Sequence, residues 1–86
     1  MSDERVVRVA ILDVWTDIPI TASGDTSVAM IKSQALAAAR VTEAASAYEV
    51  KFRGAALADE TQTLVAAGVP SGGALIVMPR RRRPVR

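Results

Sequence analysis

The sequence predicts an α+β fold in which one main helix packs across a mixed four-stranded sheet. Near both ends of the chain, apolar residues recur in short runs with a period of two, which is typical of half-buried strands. Between these runs, apolar residues recur every three or four positions, as they do on one face of a helix. The 86 residues suffice for one compact core.

The first two strands form a predicted hairpin. Residues 5–12 alternate and place three apolar β-branched side chains on one face. A polar turn follows over residues 13–17, and residues 18–22 then alternate again. Because Pro19 has no backbone N–H to donate, we expect the second strand at an edge of the sheet.

One helix is predicted from about Ser27 to Arg40. Its apolar stripe has spacings of three and four residues and consists of Val28, Ile31, Ala35, Leu36 and Ala39. Asp25, Thr26 and Ser27 each offer a side-chain oxygen for capping the first turn, so three starting points are open.

The second half of the chain supplies two further strands. Residues 48–53 alternate and form a strand that Gly54 ends, and residues 64–69 form a short helical turn that plugs one end of the core. A turn over residues 70–73 leads into the last strand, residues 74–78. This strand is the most uniformly apolar, so we expect it at the centre of the sheet, beside the first strand. This order of elements is a β-grasp arrangement.

Residue composition disfavours catalysis. The chain has no cysteine and no histidine, so disulfides, thiolate metal sites and the most common general base are missing. Asp59 and Glu60 form an adjacent carboxylate pair, which we interpret as part of a solvated loop. We therefore expect no enzyme activity, no cofactor, no metal and no small-molecule substrate.

The location of the protein is also predicted from composition. The amino-terminal residues are polar and acidic, unlike a secretory signal, and no segment approaches the roughly 18 apolar residues that span a bilayer. We expect a soluble, cytoplasmic protein.

The positive charge is concentrated at the carboxyl end. The formal net charge is +2, yet five positive charges belong to Arg80, Arg81, Arg82, Arg83 and Arg86. The remaining six basic and nine acidic residues give the rest of the chain a net charge of −3. We therefore divide the chain into a β-grasp domain over residues 1–79 and a basic tail over residues 80–86, which we expect to be disordered.

Three interpretations of the basic tail are open. Five arginines favour binding to an anionic membrane surface, at about 1 kcal/mol per residue. They also suit nonspecific contact with nucleic-acid phosphates. The third interpretation, which we favour, is a solvated tail or the start of a longer protein. Nucleic-acid recognition by the folded body is disfavoured by its negative charge and its three aromatic residues.

A resemblance to ubiquitin-like proteins extends over about residues 5–79. The motifs that carry it, in order, are Asp25-Thr26, Phe52-Arg53-Gly54, Leu57, Asp59, Leu64, Gly68-Val69 and Leu75-Ile76-Val77. Residues 64–77 also resemble the closing segment of the small bacterial ubiquitin-like proteins of type VII secretion, the YukD/EsaB type. These resemblances imply a ubiquitin-like β-grasp fold and a bacterial secretion accessory protein or domain.

The chain departs from the conjugating members of this superfamily. Conjugation and sulfur transfer both require a terminal Gly-Gly, whereas Gly72-Gly73 precedes the last strand here and no glycine follows it. We therefore predict a non-conjugated protein–protein interaction module, with a protein modifier or sulfur carrier as the disfavoured alternative.

The expected partner is a larger protein, bound on the sheet face away from the helix. The resemblance implies that this face is exposed, and the strand pattern predicts the binding residues Arg8, Trp15, Lys51, Ile76 and Met78. In the alternative interpretation, Ile76 and Met78 are ordinary apolar residues of a central strand. Trp15 either anchors an interface or folds back over the sheet edge to extend the core.

Overall fold

A computed structural model describes residues 4–12, 16–42 and 44–80. The elements in chain order are β1 (Glu4–Ile11), β2 (Thr16–Ser23), α1 (Val28–Ala38), a 3-10 turn (Ala45–Ala47), β3 (Tyr48–Phe52), β4 (Ala55–Ala56), α2 (Leu64–Ala67) and β5 (Ala74–Pro79). Within these residues, no helix is long and apolar enough to cross a membrane.

The sheet is mixed and has the strand order β2-β1-β5-β3-β4. Strands β1 and β5 are parallel, while the other neighbouring pairs are antiparallel. The predictions that the last strand is central and lies beside the first are confirmed. The edge position of β2, predicted from Pro19, is confirmed as well.

The sheet has five strands rather than the predicted four. The additional strand, β4, is two residues long and pairs with the end of β3. It folds back because Arg53 and Gly54 both adopt positive φ angles, 55° and 83°, which suit a two-residue hairpin turn. Two alanines are too short a run for a periodic signal, so the sequence pattern contained no trace of this strand.

One hydrophobic core lies between α1 and the inner face of the sheet. Its fully buried residues come from the three inner strands β1, β5 and β3, from α1 and from α2. Strand β1 contributes the three alternating residues expected from the pattern, Val7, Val9 and Ile11, each with no exposed area. Leu64 and Val69 close one end of this core, as predicted for the helical turn over residues 64–69.

Helix α1 is shorter than the predicted span from Ser27 to Arg40. Among the three possible caps, the structure selects Ser27, whose hydroxyl accepts the N–H of Met30 at 3.1 Å. At the other end, Arg40 turns into the left-handed region with a φ of 60°. The N–H of Val41 then donates a hydrogen bond to the carbonyl of Leu36 at 2.9 Å, and this bond ends the helix in a Schellman motif.

We expect the substitution Ser27→Ala to lower the free energy of unfolding by about 1 kcal/mol, because it removes the acceptor for an amide of the first helical turn. Urea denaturation of the wild type and the variant measures this loss. Ser33→Ala, at an exposed position in the middle of the same helix, is the matched control and should cost nothing. Equal losses in the two variants would contradict the capping role.

Candidate protein-interaction surface

The sheet face away from α1, called the outer face below, carries most of the predicted binding residues. Its central part consists of Arg8 and Ala10 from β1, Ala74, Ile76 and Met78 from β5, and Glu49 and Lys51 from β3. Arg8, Lys51, Ile76 and Met78 therefore lie on one face, as expected from the alternation. Trp15 lies outside the described residues.

Strand register brings three of these residues into one row. Ala10 lies opposite Ile76 in the parallel pair, and Ile76 lies opposite Lys51 in the antiparallel pair. Because neighbouring strands are about 4.8 Å apart, the row spans about 10 Å. All three residues are partly exposed, so the centre of the outer face combines accessible apolar surface with a cationic side chain.

Arg8 is not an unpaired cation on this face. Its guanidinium lies 2.7 Å from the Asp17 carboxylate, and the two side chains are 65% and 50% exposed. An ion pair this exposed contributes at most about 1 kcal/mol to stability. The sequence pattern missed the pair because it placed residues 16 and 17 in the hairpin turn, whereas β2 begins at Thr16.

Two grooves meet at the centre of the outer face. The first, of about 330 Å³, lies over β1 and β5 and is bordered by the Arg8–Asp17 pair. The second, of about 450 Å³, lies between the turn at Arg53-Gly54 and the turn over residues 70–73. Ala74 and Ile76 line both grooves, so the two grooves lie side by side.

Two cations near these grooves have no carboxylate partner among the described residues: Arg53 lines the second groove, and Lys51 lies opposite Ile76 without lining either groove. Within residues 4–12, 16–42 and 44–80, neither Lys51 nor Arg53 forms an ion pair. The Arg53 guanidinium lies 5.1 Å from the centre of the Phe52 ring, a cation–π contact that leaves its positive charge uncompensated. The sequence pattern placed Arg53 at the end of the third strand and not among the binding residues, whereas Arg53 lies in the turn that follows β3.

A second charged cluster, formed by Lys32 and Glu60, joins α1 to the loop before α2 and was not predicted from the sequence. Lys32 is only 4% exposed, and its ammonium lies 2.6 Å from Glu60 Oε1 and donates to the Tyr48 carbonyl at 3.0 Å. The interpretation of Glu60 as a solvated loop residue is therefore wrong. Asp59, by contrast, is exposed. Its carboxylate accepts hydrogen bonds from the Thr61 hydroxyl and from the Thr61 N–H, and these two bonds, the first more than the second, lower the pKa of Asp59.

Arg80, the first residue of the predicted tail, is attached to the folded body. Its N–H donates to the Ala47 carbonyl at 2.8 Å and its Nε donates to the Ser46 carbonyl at 2.9 Å. The guanidinium also lies 3.5 Å from the second oxygen of Glu60. The other tail arginines, Arg81, Arg82, Arg83 and Arg86, lie outside the described residues, so membrane binding by the tail stays a prediction.

The described residues contain no group of three or more side chains suited to bind a metal. Two groups of charged side chains stand out among them: the partly exposed residues of the outer face and the cluster of Lys32, Glu60 and Arg80. The arrangement therefore suits recognition of another macromolecule through shape and charge.

Comparison with solved structures supports a ubiquitin-like fold. The ubiquitin of Caldiarchaeum subterraneum superposes with a TM-score of 0.77 at 15% identity, covering 94% of this chain and 99% of that one. A ubiquitin-like domain from Arabidopsis thaliana gives 0.73 at 13% identity, with coverages of 96% and 84%. A protein designed on the basis of ubiquitin gives 0.79 at 12% identity, with 98% of each chain covered.

The protein thus has the ubiquitin-like β-grasp fold, which confirms the predicted fold class. At these identities the similarity establishes the fold alone. Neither the scan against family models nor the search of curated proteins finds a match to the sequence.

Proposed function

We propose that this protein is a non-enzymatic, non-conjugated ubiquitin-like module that docks on a larger protein through its outer face. The observation that carries the proposal is the accessible apolar row around Ile76, beside Lys51, a cation that forms no ion pair with any described residue. Such a combination of an apolar centre and a charged border is common in protein interfaces.

The partner is expected to differ from the proteins that read ubiquitin. The resemblance to ubiquitin-like proteins implies that Lys51 falls where ubiquitin has its hydrophobic recognition residue. A binding pocket built for an apolar side chain would bury the Lys51 ammonium without a counter-charge, at a cost of several kcal/mol. The outer face therefore favours a partner with its own complementary charge.

A role as a bacterial type VII secretion accessory protein or domain is the finer form of this proposal. It rests on the resemblance of residues 64–77 to the closing segment of that family, and it requires a cytoplasmic location. The genes beside the coding sequence and the full reading frame test it. A neighbouring secretion ATPase gene, or membrane spans encoded after Arg86, would support the role, and neighbours unrelated to secretion would count against it.

The alternative, a protein modifier or sulfur carrier, is disfavoured by the setting of Gly72-Gly73. The Gly72 N–H donates to the Val6 carbonyl at 2.7 Å, and this glycine has a φ of 84°. A Cβ on Gly73 would lie 2.9 Å from the Pro70 carbonyl oxygen. Both glycines thus have a structural role in the turn that leads into β5. An internal glycine has no free carboxylate on which an activating enzyme could act.

Intact-mass measurement after incubation with ATP and the cognate activating enzymes separates the two functions. We expect only the mass of the free protein, because Gly72-Gly73 is held in the turn that leads into β5. A covalent adduct with the activating enzyme would contradict the proposal and establish the alternative.

Affinity capture from an extract of the source organism tests the docking surface. We expect Lys51→Glu and Met78→Asp each to reduce the recovered partner at least about tenfold, since each places a negative charge in the proposed interface. Gln34→Glu, an equivalent charge on the exposed face of α1, is the control and should retain the partner. Retention by all three variants would refute docking through the outer face.

A further inference from the structure

We infer that the protein forms a weak, two-fold symmetric dimer in which α1 of one copy packs antiparallel against α1 of a second copy. This inference does not depend on docking through the outer face, which lies on the opposite side of the sheet. Its two supports are the absence of charge from the exposed face of α1 and the opposite charges at the two ends of that helix.

The exposed face of α1, called the helix face below, carries no charged residue. It consists of Met30, Ser33, Gln34, Ala37 and Ala38. The one charged residue of the helix, Lys32, is buried and paired with Glu60. The solvent side of a helix in a globular protein usually carries charged residues. The helix face therefore suits contact with another uncharged surface.

Exposed apolar side chains are concentrated near the amino-terminal end of α1. Met30 lies in the first helical turn, where its N–H donates to the Ser27 hydroxyl. Val65 of α2 is half exposed, and its N–H donates to the Gly24 carbonyl at 3.1 Å, just before α1 begins. Among the described residues, two of the three exposed large hydrophobic side chains thus lie near this end, and the third, Val6, lies on β1.

The two ends of α1 carry opposite charges. Asp25 lies two residues before the Ser27 cap, and Arg40 follows the last helical turn, and both are exposed. Neither forms an ion pair with a described residue. The helix between them has 11 residues and is about 16 Å long, which is about two Debye lengths at physiological ionic strength. The two charges therefore do not neutralise each other within one copy.

A second copy of the chain is complementary to both features at once. When two α1 helices pack antiparallel, the uncharged helix faces meet, and Asp25 of each copy lies beside Arg40 of the other. A two-fold axis produces both ion pairs from one arrangement, because every contact across the axis is made twice. A parallel arrangement would instead place like charges side by side at both ends.

The size of the helix face indicates a weak dimer. A helix about 16 Å long and about 10 Å wide presents a face on the order of 200 Å². A stable interface buries about 800 Å² on each partner. We therefore expect a monomer in dilute solution and a dimer at protein concentrations approaching about 1 mM.

Sedimentation equilibrium and NMR amide spectra over a series of protein concentrations test the inference. We expect dimers to form as the concentration rises, with shifts of the α1 amides and none of the β5 amides. Asp25→Arg and Arg40→Asp should each weaken self-association at least about tenfold, because each replaces two attractions in the dimer by two repulsions. Mixing the two variants should restore association, since each arginine of one variant then lies beside an aspartate of the other.

Two controls separate this effect from unfolding and from a general effect of charge. Aspartate tolerates the positive φ of residue 40 better than arginine does, and both variants keep the Ser27 cap, so both should give the dispersed amide spectrum of a folded protein. Lys51→Glu reverses a charge on the outer face and should dimerise like the wild type.

Four results would overturn the inference. The protein could stay monomeric at the highest concentration, or its concentration-dependent shifts could be confined to the amides of β3 and β5, which would place the self-contact on the outer face. Self-association of Asp25→Arg and Arg40→Asp equal to that of the wild type would refute the two ion pairs. Variants that each weaken association without complementing each other in the mixture would refute the antiparallel arrangement.

Discussion

Replacing Glu60 with alanine is expected to lower the free energy of unfolding by about 3–5 kcal/mol. The substitution removes the only carboxylate beside the Lys32 ammonium within the described residues and leaves a 4% exposed cation with the Tyr48 carbonyl alone. It also removes the carboxylate near Arg80, 3.5 Å away. For a chain of this size, the loss would be a large share of the total stability.

Urea denaturation measures the effect of Glu60→Ala, and Glu49→Ala provides the matched control. Glu49 lies on the outer face and forms no ion pair among the described residues, so its removal should change stability by less than about 0.5 kcal/mol. The double variant Lys32→Met, Glu60→Leu should be far more stable than Glu60→Ala, because no buried charge remains unpaired. A loss below about 1 kcal/mol in Glu60→Ala would contradict the buried pairing.

Replacing Leu64 with alanine is expected to cost about 2–5 kcal/mol, the second large effect. Leu64 has no exposed area and closes the end of the core below α2. Its N–H donates to the Thr26 carbonyl and its own carbonyl accepts the N–H of Val69, both at 2.9 Å. These bonds fix the backbone on either side of the side chain, so the cavity left by the substitution can collapse only in part.

The adjacent residue supplies the control for Leu64→Ala. Val65 lies on the same short helix and is 50% exposed, so Val65→Ala should cost less than about 1 kcal/mol. Thermal and urea unfolding of the two variants give the comparison. Equal losses would mean that α2 stabilises the fold through its helical backbone rather than through the buried leucine.

The elements that periodicity predicted are those that bury one face. Alternation located β1 and β3 because their inward residues are almost fully buried, and Pro19 indicated the edge strand because of its missing donor. Strand β4 escaped prediction because two exposed alanines have no pattern. Its position depends instead on the positive φ angles of the preceding turn.

The candidate site was predicted in part. Alternation placed Lys51, Ile76 and Met78 on the outer face, but the pairing of Arg8 with Asp17 depends on strand register, which a single sequence does not specify. Lys32 escaped notice because a lysine in a helix is usually exposed, and its burial depends on a carboxylate 28 positions away. Such contacts between distant segments are set by the tertiary fold.

Methyl NMR of the methionines tests the central claim most directly. The chain has three methionines, of which Met78 lies on the outer face and Met30 lies 51% exposed on α1, on the opposite side of the sheet. With the protein carrying 13C-labelled methionine methyl groups, binding of the captured partner should shift or broaden the Met78 signal and leave the Met30 signal in place. A perturbed Met30 signal with an unchanged Met78 signal would contradict docking through the outer face.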